Sequence, residues 1–265
     1  MKEFNYHRPA KIADAVRLIK KARNGKLMSG GMTLIPTMKQ GLANPTDIID
    51  LGGLKNSGVA ASASKVTIKA GTTHSQVAES EPLQKTLPAL AAVAGAVGDP
   101  HVRNKGTIGG SIANNDPAAD YPAALVGLGA TVITNARKVP ADKFFTGMFT
   151  TALKRDEIVT AVEFPVAKRA GYAKFPNPAS RYAMVGVFVS QDKAGKVRVA
   201  VTGAGPSVFR VPEMEAALEK SFSPDALAAI SISAEGLNSD MHGSAEYRAH
   251  LVNVMARRAV AAAAR

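Results

Sequence analysis

The 265-residue chain contains no cysteine. That excludes structural disulfides, thiolate zinc sites, cysteine-ligated iron–sulfur clusters and a cysteine nucleophile within it. Tryptophan is also absent and aromatics make up only 5%, so platforms for stacking single-stranded nucleic acid are scarce. No apolar run reaches the length of a bilayer span. The opening Met1-Lys2-Glu3-Phe4-Asn5-Tyr6-His7-Arg8 lacks the apolar core of a signal peptide, and a cytoplasmic protein is expected. Acidic residues are the scarcer charge, 21 against 33 Lys and Arg, for a net charge of +12. The basic residues are spread out, with a concentration in Lys2, Arg8, Lys11, Arg17, Lys20, Lys21, Arg23 and Lys26. With no helix-turn-helix, zinc-finger or RNA-binding signature beside them, they read as a solvated face rather than a nucleic-acid patch.

What is present is ample apolar material, 46% of the chain, enough for a large core and two or three domains. Ile12, Val16 and Ile19 recur at helical spacing over residues 11–23, and Asn24-Gly25 supplies a stop. A short strand at 26–28, a helical turn at 33–40 and a strand at 47–51 complete a small α/β unit. A second unit has a strand at 66–70, helices at 74–80, 87–97 and 122–128, a glycine-rich loop at 106–111, and strands at 130–134 and 158–164. A third has a hairpin of 184–190 with 196–202, and helices at 213–220, 225–230 and 245–264.

Two glycine-rich runs carry the chemistry. The first is Ser29-Gly30-Gly31-Met32-Thr33-Leu34-Ile35-Pro36. Glycine lets a phosphate approach backbone N–H groups, Ser29 and Thr33 add hydroxyls, and Lys26 adds charge. An ordinary βα turn reads the same way, and the run is neither Gly-x-Gly-x-x-Gly nor a Walker loop, which disfavours a nicotinamide Rossmann site or a P-loop ATPase. The second run, Thr107-Ile108-Gly109-Gly110-Ser111 with Asn114-Asn115-Asp116-Pro117-Ala118-Ala119-Asp120, is the stronger of the two. Thr107 and Ser111 flank the glycines, suited to a pyrophosphate, and Asp116 and Asp120 stand ready to accept from hydroxyls. A polar loop with an Asp-Pro turn is the bland alternative. Two such loops in consecutive units point instead to a dinucleotide lying between domains. His74 and His101 are candidate ligands or bases, although His74 also suits a helix cap. Lys174 and Tyr182 bring a cation and a ring to the entry of the third unit. No nucleophile elbow surrounds Ser29, Ser111 or Ser180.

Taken with Val102-Arg103-Asn104-Lys105-Gly106 and Ser180-Arg181-Tyr182-Ala183, these runs resemble the FAD-binding medium subunit of the molybdenum hydroxylases, the carbon monoxide dehydrogenase and xanthine dehydrogenase type. Weaker similarity around Phe144-Phe145-Thr146-Gly147 and Asp156-Glu157-Ile158-Val159 fills the gaps. The resemblance implies an α+β chain: a two-domain FAD-binding fold of the vanillyl-alcohol-oxidase/PCMH type, over residues 1–56 and 57–168, plus a C-terminal antiparallel sheet with helices over 169–265. It implies that Lys26, Leu27, Met28, Ser29, Gly30, Gly31, Met32, Thr33 and Leu34, with Thr72, Thr107, Ile108, Gly109, Gly110 and Ser111, hold the FAD pyrophosphate and nearby atoms. Asp116 and Asp120 would serve the flavin's polar chain, and Ile158, Lys174 and Tyr182 would lie near the isoalloxazine. Met32 replaces a polar residue usual in the family, leaving the backbone N–H in place.

The implied function is electron transfer in a molybdenum-cofactor hydroxylase. Electrons would come from the [2Fe–2S] clusters of a small partner subunit, a large partner would carry the molybdenum cofactor, and the flavin would pass electrons to a quinone, NAD or another acceptor. The expected assembly is a dimer of heterotrimers that binds no nucleic acid, with association to the inner membrane face through the complex as a further expectation. The rival readings are a self-contained FAD-dependent reductase or oxidase of the same fold, and a basic binding module.

Overall fold

The computed structural model describes residues 1–263. Strands β1 (Asn5–His7), β2 (Gly25–Met28) and β3 (Asp47–Asp50) pair in parallel in the order β1-β3-β2, with helices α1 (Ile12–Lys21) and α2 (Leu34–Lys39) between them in sequence. Central β3 buries Ile48 and Ile49, and Ile49 packs with Ala15 and Ile19 of α1. The helix stop expected at Asn24-Gly25 lies earlier. The helix ends at Lys21, Ala22 is extended, and Gly25 already belongs to β2. Gly25 serves close packing, since a Cβ there would sit 2.7 Å from the Ala22 Cβ.

The middle region holds β4 (Val59–Ala61), β5 (Lys65–Lys69), helices α3 (His74–Ala78), α4 (Glu81–Thr86), α5 (Pro88–Gly95), α6 (Pro100–Lys105), α7 (Ile108–Asn114) and α8 (Tyr121–Leu128), then β6 (Thr131–Thr134), β7 (Lys138–Pro140), β8 (Phe145–Gly147), β9 (Thr150–Thr151) and β10 (Val159–Pro165). Its antiparallel sheet runs β4-β5-β10-β6-β7, and β8 and β9 form a separate hairpin. Helix α8 is apolar on every side and buried along its whole length, as expected of a helix with no solvent face. It is wedged against the third sheet so closely that a Cβ on Gly127 would meet Phe188 Cδ1 at 2.7 Å.

The third region holds β11 (Arg169–Pro176), β12 (Ala183–Gln191), β13 (Val197–Thr202), β14 (Phe209–Arg210), α9 (Pro212–Lys220) and α10 (Ala245–Ala263). The four strands pair antiparallel in that order, which gives the α+β class with a C-terminal antiparallel sheet that the sequence implied. The helix expected at 225–230 is only a 3₁₀ turn, Pro224–Leu227. Its amides bond three residues back, Ala228 N to Asp225 O and Ile230 N to Leu227 O, and the Asn253 amide of α10 also donates to the carbonyls of Leu227 and Ile230, both at 2.8 Å. The last residue of the helix expected at 245–264 lies outside the described residues. Valines of β12 and β13 share a core with α9 and α10, whereas Phe188 and Ala200 on their other face join the core of the middle region.

Candidate functional site

A cleft of about 1260 Å³ opens where the C-terminal end of β2, the α6–α7 segment and the β11–β12 loop converge. The ends of parallel strands are where α/β sheets bind ligands. Every residue from Lys26 to Leu34 lines it. The two glycine runs meet on its floor. Thr107 Oγ1 donates to Ser29 Oγ at 3.0 Å. Gly30 packs directly on the chain of the second run, where a Cβ would fall 2.0 Å from the Lys105 carbonyl oxygen. Gly31 is left-handed, φ +71°, a conformation glycine adopts without steric cost.

The second run is a helix start rather than an open loop. Thr107 is the N-cap of α7, its hydroxyl accepting from Gly110 N at 3.1 Å. The amide of Ile108 donates to Thr72 O, that of Gly109 to Ala70 O and that of Ser111 to Thr107 O. Of its five backbone amides, that of Thr107 alone makes no hydrogen bond to the described residues. By contrast, the amides of Gly30, Gly31, Met32, Thr33 and Leu34 make no hydrogen bond to the described residues. The first run, read from sequence as the weaker motif, is the one with most of the free donors. The second buttresses it and offers the Ser111 hydroxyl.

Thr107, Gly109, Gly110 and Ser111 line the cleft, as do Asp116, Asp120, Ile158 and Tyr182. Thr72, Ile108 and Lys174 do not. Thr72 is fully buried, bonded to Lys69 O and Gly58, and Ile108 belongs to the middle core. Asp116 folds back on Ala118 N at 2.9 Å. Ile158 is 2% exposed and packs with Ala15, Ile19 and Ile49, so that a residue next to β10 completes the first core. Tyr182 is half exposed. Its loop is built on buried Asn177, whose Oδ1 accepts from Ala179 N and Ser180 N, with Arg181 left-handed at φ +62°.

Asp120 is held from below. Lys174 Nζ lies 2.9 Å from Oδ1 and 3.0 Å from Oδ2, and the Tyr172 hydroxyl donates to Oδ1 at 2.5 Å. Lys174 also donates to Ala96 O at 3.0 Å. Burial pushes the Asp120 carboxyl up, against the pull of Lys174 and Tyr172. A carboxylate has about four acceptor positions, so about one remains for a ligand in the cleft.

Sequence reading missed how the cleft is tied together. Arg155 donates to the carbonyls of Ala22 and Arg23 just past α1, and Lys20 pairs with Asp156 at 3.0 Å. These contacts clamp the first sheet to the middle region. Beside them, Glu157 is pulled down to about 2 chiefly by its hydrogen bonds with Arg137. His74 does not cap α3. Thr73 does, in a capping box with Gln76, which its Thr-x-x-Gln spacing could have disclosed. The His74 ring is buried, and burial, with Arg103 nearby, pushes it down to about 4. His101 is exposed on α6. Among the described residues no cluster of His, Cys, Asp and Glu could hold a metal ion, and no helix is long and apolar enough to cross a membrane.

The donor set fits a dinucleotide: a strand end with five free amides, a glycine with no room for a Cβ, and lysines 26, 55, 105 and 154 around the cleft. Residues 2–167 match the family described as FAD binding domain in molybdopterin dehydrogenase, and residues 170–263 the CO dehydrogenase flavoprotein C-terminal domain. The chain is 35% identical to the nicotine 6-hydroxylase medium subunit of Paenarthrobacter nicotinovorans, covering 97% of this chain and 96% of that one. It is 32% identical to the carbon monoxide dehydrogenase medium chain of Hydrogenophaga pseudoflava, over 98% and 96%. The solved structure of reconstituted CO dehydrogenase from Oligotropha carboxidovorans superposes with a TM-score of 0.92 at 32% identity, over 99% of this chain and 98% of that one. With its cleft, its third sheet and both family matches in agreement, the chain belongs to the FAD-binding medium subunits of the molybdenum hydroxylases.

Proposed function

We propose that the chain is the electron-relay subunit of its complex, with FAD seated between residues 1–56 and 57–168 and covered from 169–265. FAD, when bound, supplies two-electron redox chemistry that can be loaded one electron at a time. The protein binds and orients it. The free amides from Gly30 to Leu34 hold the diphosphate, and the Ser111 hydroxyl and the remaining acceptor position of Asp120 receive the polar chain. Ile158 and Tyr182 border the ring, and Lys174 acts on it through Asp120. The five unspent amides are the observation that carries this assignment, because backbone donors in a glycine turn suit a phosphate.

The electron source in this reading is a small subunit with [2Fe–2S] clusters, and substrate oxidation belongs to a large subunit with the molybdenum cofactor. The absence of cysteine from this chain supports that division. The assembly is a dimer of heterotrimers in the cytoplasm. The +12 charge faces an acidic partner or an anionic membrane surface, from which an acceptor such as a quinone is reached. Titration with FAD, followed by quenching of flavin fluorescence, tests the assignment. One FAD bound per chain is expected, in the purified chain or in the complex co-expressed with its two partners. Failure of both to bind FAD sinks it.

A further inference from the structure

A file of contacts runs from the core to the cleft floor. The Tyr121 ring packs on the His74 ring, centroids 5.4 Å apart at 41°. The Nε2–Cδ2 edge of the His74 ring lies so close to Gly106 that a Cβ there would come 2.6 Å from Nε2 and 2.9 Å from Cδ2. Gly106 in turn meets Gly30, whose Cβ would fall 2.8 Å from the Gly106 Cα. His74 also donates its own amide to Gly106 O at 3.0 Å. An imidazole and two glycine backbones are thus in successive contact, ending at Gly30, which carries the first of the five free amides. Ring nitrogen Nδ1 is buried without a hydrogen-bond partner, as is the Tyr121 hydroxyl. A second proton on this ring would have no acceptor at Nδ1. Of the elements around it, α6 brings the Arg103 cation and α8 the Tyr121 phenol, and α5 has no ionisable side chain. The carboxylate nearest Tyr121, Asp120, is engaged by Lys174 and Tyr172.

We propose that His74 is a positioning residue of the cofactor site: its neutral ring sets the spacing at which the Gly106 and Gly30 backbones meet, and so aims the amides of the first glycine run at the diphosphate. This rests on the FAD reading above. No chemistry is asked of the ring beyond its bulk and lack of charge. Losing it lets the Lys105–Thr107 segment sink, and the Gly30 turn that rests on it follows.

The test uses the FAD-binding form from the titration above, under conditions where circular dichroism shows each variant folded. It reads FAD affinity and the ³¹P resonances of the bound diphosphate. His74→Ala should weaken FAD about tenfold and shift the ³¹P signals, the loss expected when about one amide hydrogen bond to a charged phosphate is weakened. His74→Gln, neutral and of similar reach, should restore both to near wild type. Gly106→Ala pushes its methyl into the ring and should weaken binding by at least as much. The double variant His74→Ala/Gly106→Ala should recover most of that loss, because the methyl then occupies the vacated space. The proposal is overturned if His74→Ala binds FAD with unchanged affinity and ³¹P shifts, or if the two losses simply add in the double variant. If the wild type itself binds no FAD, the cofactor reading fails instead, and the two failures are told apart by that first measurement.

Discussion

Lys174→Met is expected to cost about 3–5 kcal/mol of stability at pH 7, the range for removing one partner of a buried ion pair. The side chains of Lys174 and Asp120 are 8% and 4% exposed, so the abandoned carboxylate cannot recover its lost partner from bulk water. Only the Tyr172 hydroxyl would remain on it. The pH dependence identifies the cause. Burial already pushes Asp120 up, and Lys174 is the main opposing influence, so in the variant the folded-state value stands further above its unfolded value. A carboxyl raised on folding binds more protons in the native state, and stability then falls as pH rises. The deficit against wild type should therefore be largest near neutrality and shrink as the pH is lowered and Asp120 takes up its proton. Urea titrations of both proteins at pH 7 and at pH 5 measure this. A deficit that is the same at both values would mean that lost packing of the lysine stem, rather than the stranded charge, is responsible.

Gly30→Ala should be the most damaging single methyl for cofactor binding. Its Cβ would lie 2.0 Å from the Lys105 oxygen and 2.6 Å from its carbonyl carbon. Both are backbone atoms, which cannot swing aside as a side chain would. The two glycine runs must part by an ångström or more, and losing one amide hydrogen bond to a charged phosphate, worth about 1.5–3 kcal/mol, costs about ten- to a hundredfold in affinity. Gly110 provides the contrast. A Cβ there meets only the Thr107 hydroxyl, at 3.1 Å, and Ser29 Cβ at 3.8 Å, so Gly110→Ala should lose tenfold or less. Fluorescence titration of the two variants ranks them, and equal losses would show that the cradle is not formed at the Gly30–Lys105 contact.

Much of the fold could be read because it rests on local pattern. The helical spacing of Ile12, Val16 and Ile19 and the hairpin around Lys193-Ala194-Gly195 become α1 and the β12–β13 pair. Helices α4 and α6 went unread although their starts were signalled, Ser80 accepting from Leu83 N and Asp99 from Val102 N, each with a proline in the first turn. The edge strands β4, β7 and β14, of two or three residues, carry too little sequence to show a period, and pairing with the adjacent strand across a short connection makes them strands. The same limit applies to the site. Both glycine runs are visible in the sequence, but which of them keeps its amides free depends on Ala70 and Thr72, tens of residues upstream of the second run. Likewise nothing in Lys174 alone reveals that Asp120, 54 positions earlier, will claim it.

The unequal cores have a dynamic consequence. The middle and third sheets share one apolar interior through α8, Phe188 and Ala200, whereas the buried cluster at the first sheet is small, Ala15, Ile19 and Ile49 with the borrowed Ile158, and that sheet is also joined by the polar Arg155, Lys20–Asp156 and Ser29–Thr107 contacts and the Gly30–Lys105 approach. Regions with few buried apolar contacts open first. Residues 5–50 should thus exchange their amide protons by a low-energy opening of their own, while β12 and β13 exchange only when the whole protein unfolds. A ligand spanning the cleft makes that separate opening costlier, so loading the cofactor should slow exchange across the first sheet and leave β12 and β13 nearly unchanged.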